Sequence, residues 1–406
     1  MFLTKDEESI LRGDQGWVLA RAMKLLTTLG DLGGAERLVP IRRSQVAGVS
    51  YKTSGDPTLD LLESLAEEGV SAKTHATQNP AGMDLERWSE MGIRQEFADK
   101  QRRICTAYEK LGIRASCTCT PYLSGNKPKP GEIVGFSESS AVAYVNSVLG
   151  ARSNRHGGLD ALSAALVGKV PLMGYLLDVN RLPDVLVKCN FRVRSDADYG
   201  ALGYHLGKNL STDSVPYIEE LGNATRDELK MLGAASAASG STALFHVQGL
   251  TPEAKSGHCP FRQGRPTETL NVDRGDIAGV YEELSASTRC DLIALGCPHC
   301  SLNETKCISR ALQSRTVKSP PRLWVFTSPE VYSEADRRGY VREIKAAGAD
   351  VFRHTCMVVM PIEEMGINSV ATNSAKAAFY IPRTTQNKCQ AQLLSLEKCI
   401  ALATES

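Results

Sequence analysis

The sequence predicts an α/β protein built on mostly parallel sheets, and three observations carry that prediction. Helical patterns alternate with short apolar strand-like runs, as in βαβ units. At 406 residues the chain is long enough for two to three domains or one large α/β unit. Its 42% apolar and 23% charged residues supply both a core and a solvated surface. The 47 Lys and Arg balance 46 Asp and Glu, so bulk charge gives no footprint for nucleic acid or an acidic membrane. No run approaches the ~20 apolar residues of a membrane span. The charged N-terminus, MFLTKDEESILRG, lacks the apolar centre of a signal peptide. A cytoplasmic protein that binds neither nucleic acid nor membrane is the expectation.

The elements follow in order. Thr4 and Glu7 form a capping-box pattern that opens a short helix, and Gly13 closes it. An Ala-, Leu- and Met-rich helix follows over 15–29, and residues 37–49 mix strand and loop. Apolar residues at i, i+3, i+4 spacing, with Pro57 at the start and Gly69 at the end, predict a helix over 57–69. An amphipathic helix over 95–112 precedes the strand-like IRASCT (113–118). Further helices are predicted near 138–149, 158–168, 225–239, 301–315, 329–347 and 391–403. Short apolar strands fall at 242–247, 291–295, 322–327 and 350–355. The Pro- and Gly-rich stretch 251–280 lacks periodicity. It is expected to connect a first α/β region, 1–250, to a second, 281–406.

Twelve cysteines are many for a cytosolic chain, where they argue less for disulfides than for metal ligands or reactive thiols. Cys105, Cys189, Cys290, Cys307, Cys389 and Cys399 lie in apolar or amphipathic runs and read as ordinary thiols. Three others share a local setting. Cys119 follows IRASCT and precedes Pro121; Cys297 follows DLIALG and precedes Pro298; Cys356 follows DVFRHT. Ligands of open parallel sheets bind beyond the carboxyl ends of strands, so these thiols are placed to converge. Thiolates suit iron–sulfur clusters or zinc. Three readings stand: a cluster or metal site, a four-thiolate zinc site that takes in Cys117 and Cys300, and plain thiols. Cys297 and Cys300 also fit a C-x-x-C redox pair.

Polar segments surround these cysteines. Glu138, Asn146 and Ser147 punctuate an apolar helical run, which gives way to Arg152, Asn154 and Arg155 beside Gly157 and Gly158. Asn373 or Ser374 fits a helix cap just before Lys376. Cations beside Gly and Asn, with a helix N-terminus nearby, suit a carboxylate or phosphate cradle. A solvated surface pair and ordinary capping explain the same residues one at a time.

Longer motifs give a resemblance. GVSY (48–51), TQNPAGMD (77–84), CTPYLSGNKP (119–128), SESSAVAYVNSVLGARSNRHGG (137–158), FHVQGLTPEA (245–254), GCPH (296–299), HTCMVVMPI (354–362) and TNSAKAAFYIP (372–382) occur in one order along the chain. In these the chain resembles the large, catalytic subunit of the aconitase X family. It looks most like the archaeal members, which dehydrate mevalonate 5-phosphate to trans-anhydromevalonate 5-phosphate. Bacterial relatives include dehydratases of cis-3-hydroxy-L-proline. Cys297 in GCPH, and a sequence that stops at Ser406, favour the archaeal type. His156 stands where the family usually has an acidic residue, and KTSGDP (52–57) is looser than the usual form.

The resemblance implies an aconitase-like large subunit of related α/β domains, with the site at the carboxyl ends of strands. It implies a separate small swivelling subunit, hence a heterodimer, since no segment here reads as that domain. By the same resemblance Cys119, Cys297 and Cys356 hold a [4Fe–4S] cluster with one iron free of protein thiolate, while Cys117 and Cys300 are neighbours. A phosphorylated hydroxy acid would meet Arg152, Arg155 and Lys376, with Asn146, Ser147, Asn154, Asn373 and Ser374 as hydrogen-bonding partners. Glu138 would orient or relay a proton, or else pair with an arginine. The main base is expected on the small subunit. His299 and His354 are expected to pack beside the site or donate to a sulfur. The alternatives are a proline-type dehydratase and a zinc-stabilised binding protein.

Overall fold

The computed structural model describes residues 1–257, 260–285 and 290–404. Among them, three parallel sheets, each flanked by helices, carry the architecture. The first sheet runs Ile113–Arg114, His75–Gln78, Arg43–Val46, Gly135–Phe136 across its width. The second runs Glu268–Val272, Val185–Cys189, Pro216–Glu219, His246–Val247. The third runs Asp350–Arg353, Arg322–Thr327, Leu292–Cys300, Ser369–Thr372, Gln390–Leu393. In the first and third sheets the earliest strand is internal and later strands add on both sides of it. The connections therefore diverge at Arg43–Val46 and at Leu292–Cys300, which opens a crevice beyond each carboxyl end.

Local chemistry explains the elements. Thr4 and Glu7 make the capping box of Lys5–Arg12, and Gly13 ends it in the left-handed region. Ser301 with Glu304 and Thr225 with Glu228 open two further helices in the same way. The central strand Leu292–Cys300 is buried along its whole length, as expected for a strand with helices on both faces. Gly296 breaks its ladder with φ 105°, and a Cβ there would lie 2.2 Å from the Phe326 carbonyl oxygen. Only glycine fits, and the turn it permits aims Cys297 off the strand.

Several expectations are corrected. Segment 251–280 is more than a connection: Glu268–Val272 pairs in parallel with Val185–Cys189 and forms an edge of the second sheet. Its four residues before Val272 are exposed or half-buried, which hides the apolar signal of a strand. The region 1–250 accordingly holds the first sheet and three strands of the second. The helix over 329–347 is two, Pro329–Arg337 and Tyr340–Ala346, divided at left-handed Gly339. The helix over 391–403 is the strand Gln390–Leu393 followed by Leu396–Thr404. The strand over 242–247 is only His246–Val247.

The helices Asp196–Asn209 and Arg226–Gly240 pack backbone to backbone. A Cβ on Gly203 would come within 2.1 Å of the Leu232 carbonyl oxygen. The first and third sheets are stitched at their carboxyl ends. Ala81 N–H donates to the His354 carbonyl at 2.7 Å, and Ser50 Oγ donates to that of Val359 at 2.7 Å. Buried Asp84 accepts from Arg353 N–H at 2.9 Å.

Candidate active site

Three cysteines meet where these ends face each other. Cys119 comes from the loop after Ile113–Arg114, Cys297 from the end of the central strand of the third sheet, and Cys356 from the loop after Asp350–Arg353. All three are buried. Cys297 and Cys356 are within thiol–thiol hydrogen-bonding reach, and Cys119 lies in the field of Cys356. Burial pushes the Cys119 thiol up to about 12, helped by Cys356 and Glu138. The contact with Cys297 and burial push Cys356 well above the usual range. Three thiolates this close and this dry need a metal's charge to hold them deprotonated.

The donor set therefore fits a soft, thiolate-bound group. Among the described residues, no three His, Cys, Asp or Glu side chains are placed to hold a single metal ion. Cys117 sits beside Cys105 and 3.7 Å from Gln78 Oε1. Cys300 lies among Glu304, Lys230 and Asp227. Cys297 and Cys300 both line a cavity of about 170 Å³ that also holds Asp196, Asp227, Glu228 and Asn373. Its carboxylates make it a poor seat for an anion.

On the other side of the cysteines lies a polar chain. Lys376 Nζ donates to Glu138 Oε1 at 2.5 Å and to Ser140 Oγ at 3.2 Å. Asn79 Nδ2 donates to Glu138 Oε2 at 2.8 Å. Gln45 Nε2 donates to Asn79 Oδ1 at 3.0 Å and to the Thr118 carbonyl at 3.1 Å. Gln45, Asn79 and Glu138 all come from carboxyl ends of the first sheet. Burial alone would raise Glu138; Lys376, Asn79 and Ser140 outweigh it and hold the carboxyl at about 2. Burial would lower Lys376, but Glu138, Cys297 and Cys119 raise it instead. The pair is a fixed, ionised dipole against the thiols.

His299 Nδ1 lies 2.9 Å from Thr118 Oγ1 and its Nε2 2.8 Å from the Thr355 carbonyl. Burial lowers this imidazole to about 4, so it is neutral at neutral pH. Its backbone N–H donates to Cys119 Sγ at 3.2 Å. His354 packs 3.6 Å from Asp84.

The expected site residues divide into two groups. Glu138, Lys376 and Asn373 gather with the cysteines, and Ser374 caps Ala375–Thr384 by accepting from Ala377 N–H at 3.0 Å. Glu138 pairs with Lys376 rather than with an arginine. Asn146, Ser147, Arg152 and Asn154 make hydrogen bonds within the protein itself. Asn146 holds the carbonyls of Ser153 and Ala243, each at 2.9 Å, and Ser147 Oγ accepts from Phe245 N–H at 2.9 Å. Arg152 pairs with Asp178 and donates to the Leu176 carbonyl; Asn154 brackets Met173 and Tyr175. Arg155 is exposed and, among the described residues, donates to the Ser241 carbonyl. Gln45, Asn79 and Ser140 went unpredicted. Asn79 and Ser140 lie inside quoted motifs, while Gln45 carries no signal beyond being polar in a strand.

The chain matches a known group. Family models described as the first, second and third domains of aconitase X match residues 1–179, 183–282 and 290–405. The chain belongs to the aconitase X family. The three domain matches follow the three sheets. The chain superimposes on the crystal structure of Thermococcus kodakaraensis aconitase X in its holo-form, with a TM-score of 0.91 and 41% identity over 99% of this chain and 100% of that one. It is 47% identical to the phosphomevalonate dehydratase large subunit of Methanocaldococcus jannaschii, over 94% of this chain and 95% of the relative. It is 32% identical to the cis-3-hydroxy-L-proline dehydratase of Pseudomonas aeruginosa, over 98% of this chain and 69% of that relative.

Proposed function

We propose that this chain is the large subunit of a hydro-lyase that removes water from mevalonate 5-phosphate, in isoprenoid precursor biosynthesis. One observation carries the reading. Identity is 42–48% to four relatives named phosphomevalonate dehydratase large subunit and 33% to a fifth, against 30–32% to two named cis-3-hydroxy-L-proline dehydratase. The names of the former supply the second part of the proposal, a small-subunit partner. No helix among the described residues is long and apolar enough to cross a membrane, in line with a cytoplasmic enzyme.

Cys119, Cys297 and Cys356 would hold an iron–sulfur cluster, which supplies Lewis acidity toward a leaving hydroxyl at an iron without protein thiolate. Around it, this chain's residues bind and orient. The Lys376 ammonium has three donors; two serve Glu138 and Ser140, and the third is free for a substrate oxygen. Glu138, held ionised, is too weak a base to take a carbon-bound proton near neutral pH. Its role is to fix Lys376, and the base comes from the small subunit. Asn373 lines the acidic cavity beside Cys297, and Arg155 would serve the phosphate.

The test is anaerobic co-expression with the small subunit, iron and sulfide analysis, and an assay of water loss. Mevalonate 5-phosphate should react, with mevalonate and cis-3-hydroxyproline poor substrates. A preference for the proline would place the chain in the other branch. A colourless, zinc-loaded protein without turnover would return it to the binding-protein reading.

A further inference from the structure

All four polar atoms of His299 are engaged, and no step proposed above uses them. Its N–H donates to Cys119 Sγ at 3.2 Å, and its carbonyl accepts from Lys230 Nζ at 3.2 Å. Ring Nε2 lies 2.8 Å from the Thr355 carbonyl, which can only accept, so Nε2 carries the proton. Nδ1 lies 2.9 Å from the Thr118 hydroxyl. Thr118 precedes Cys119, Thr355 precedes Cys356, and His299 itself is two residues after Cys297. One buried imidazole thus ties together the segments of all three cysteines, which lie 181 and 56 residues from it in the chain.

Three cysteines carried on segments far apart in the chain keep a fixed spacing only where those segments are tied together. We propose that His299 is a positioning residue that sets the spacing of Cys119, Cys297 and Cys356, so that an arriving cluster meets a preformed three-thiol cup. The ring acts through the neighbours of the cysteines and not on substrate. This inference rests on the reading of those three cysteines as ligands.

The experiment uses the full chain with its small subunit, prepared anaerobically, as apoprotein and after reconstitution with ferrous iron and sulfide. The variants are His299→Ala, His299→Gln and Thr118→Val. The Gln amide nitrogen keeps a donor for the Thr355 carbonyl; Val is nearly isosteric with Thr but has no hydroxyl to meet Nδ1. Three quantities are read: the rate of iodoacetamide labelling of the three cysteines in the apoprotein by mass spectrometry, iron per chain, and the electron paramagnetic resonance spectrum of the reduced cluster. His299→Ala should label at least tenfold faster, hold less than half the iron of the parent and give a changed spectrum. His299→Gln should return labelling to within threefold of the parent, and Thr118→Val should fall between. Parental labelling and spectrum in His299→Ala would overturn the proposal. Should His299→Ala not fold, parental labelling and spectrum in Thr118→Val would overturn it. A parent chain that takes up no iron and sulfide would overturn the ligand assignment instead, which keeps the two failures apart.

Discussion

The Lys376 ammonium lies 2.5 Å from Glu138 Oε1, bridging a helix of the third sheet's domain to the first sheet across the candidate cluster site. Both side chains are buried, at 8% and 13% exposure. Removing one partner from such a pair strands the other charge at a cost of about 3–5 kcal/mol. Lys376→Met should therefore destabilise the chain by roughly that amount in urea unfolding, and adding Glu138→Gln should restore part of it. If the two single losses simply add, the pair is not coupled.

The same pair fixes a pH dependence. Glu138 is held at about 2 against an ordinary 4.5. A carboxyl lowered by folding contributes stability in full above its unfolded value. That contribution is lost as pH falls from about 4.5 through about 2. In Lys376→Met the buried carboxylate loses its counter-charge and its pKa rises from the parent's value, so acid costs the variant less than it costs the parent. Unfolding measured from pH 6 to pH 3 should show the gap between parent and variant closing. A gap that widens would refute the argument.

The cysteines make a separate set. Cys119→Ala, Cys297→Ala and Cys356→Ala should each abolish or halve bound iron after anaerobic purification. Cys117→Ala and Cys300→Ala should keep it, since their thiols face Cys105 and Glu304. Full iron in any of the first three, or complete loss in a folded Cys300→Ala, would contradict the assignment.

What was legible in the sequence follows from physics that acts locally. The strand-end cysteines could be read because each follows a short apolar run, and Pro121 and Pro298 mark the exit for two of them. The capping box of Thr4 and Glu7 could be read because it spans three residues. Asp196–Asn209 could not: ten of its fourteen residues are buried, so no polar face sets a period. Its glycines look like breakers in sequence, but Gly203 and Gly207 pack against Arg226–Gly240 and Gly200 against Ala375. The contacts of Asn146 and Arg152 could not be read, because a buried amide that holds backbone carbonyls has the same composition as one that awaits a ligand. Only the fold shows which atoms are already spent.

Asn79 is the test of what the sequence left out. It passes a hydrogen bond to the ionised Glu138 at 2.8 Å and receives one from Gln45 at 3.0 Å. A hydrogen bond to a charged group is worth about 1.5–3 kcal/mol. Asn79→Ala should lower kcat of the reconstituted two-subunit enzyme by roughly ten- to a hundredfold, with KM changed less. A loss confined to KM would mean that Asn79 serves binding alone.

On the proposed function, Arg155 rather than Arg152 would meet the phosphate. Mevalonate 5-phosphate carries a carboxylate and a phosphate whose second pKa is near 6, so it brings roughly two to three negative charges at neutral pH. Arg152 is neutralised by Asp178 and has little left to offer. Arg155 is exposed and bonded to the Ser241 carbonyl, which leaves its charge uncompensated among the described residues. Losing one charge-assisted contact costs about 1.5–3 kcal/mol, or roughly ten- to a hundredfold in binding. Arg155→Ala should therefore lower kcat/KM for mevalonate 5-phosphate by at least tenfold, while Arg152→Ala changes it less than threefold. With unphosphorylated mevalonate, already a poor substrate, Arg155→Ala should have no further effect, because the group it serves is missing. Equal losses on both substrates would mean that Arg155 supports the fold around Ser241 and that the phosphate is bound elsewhere.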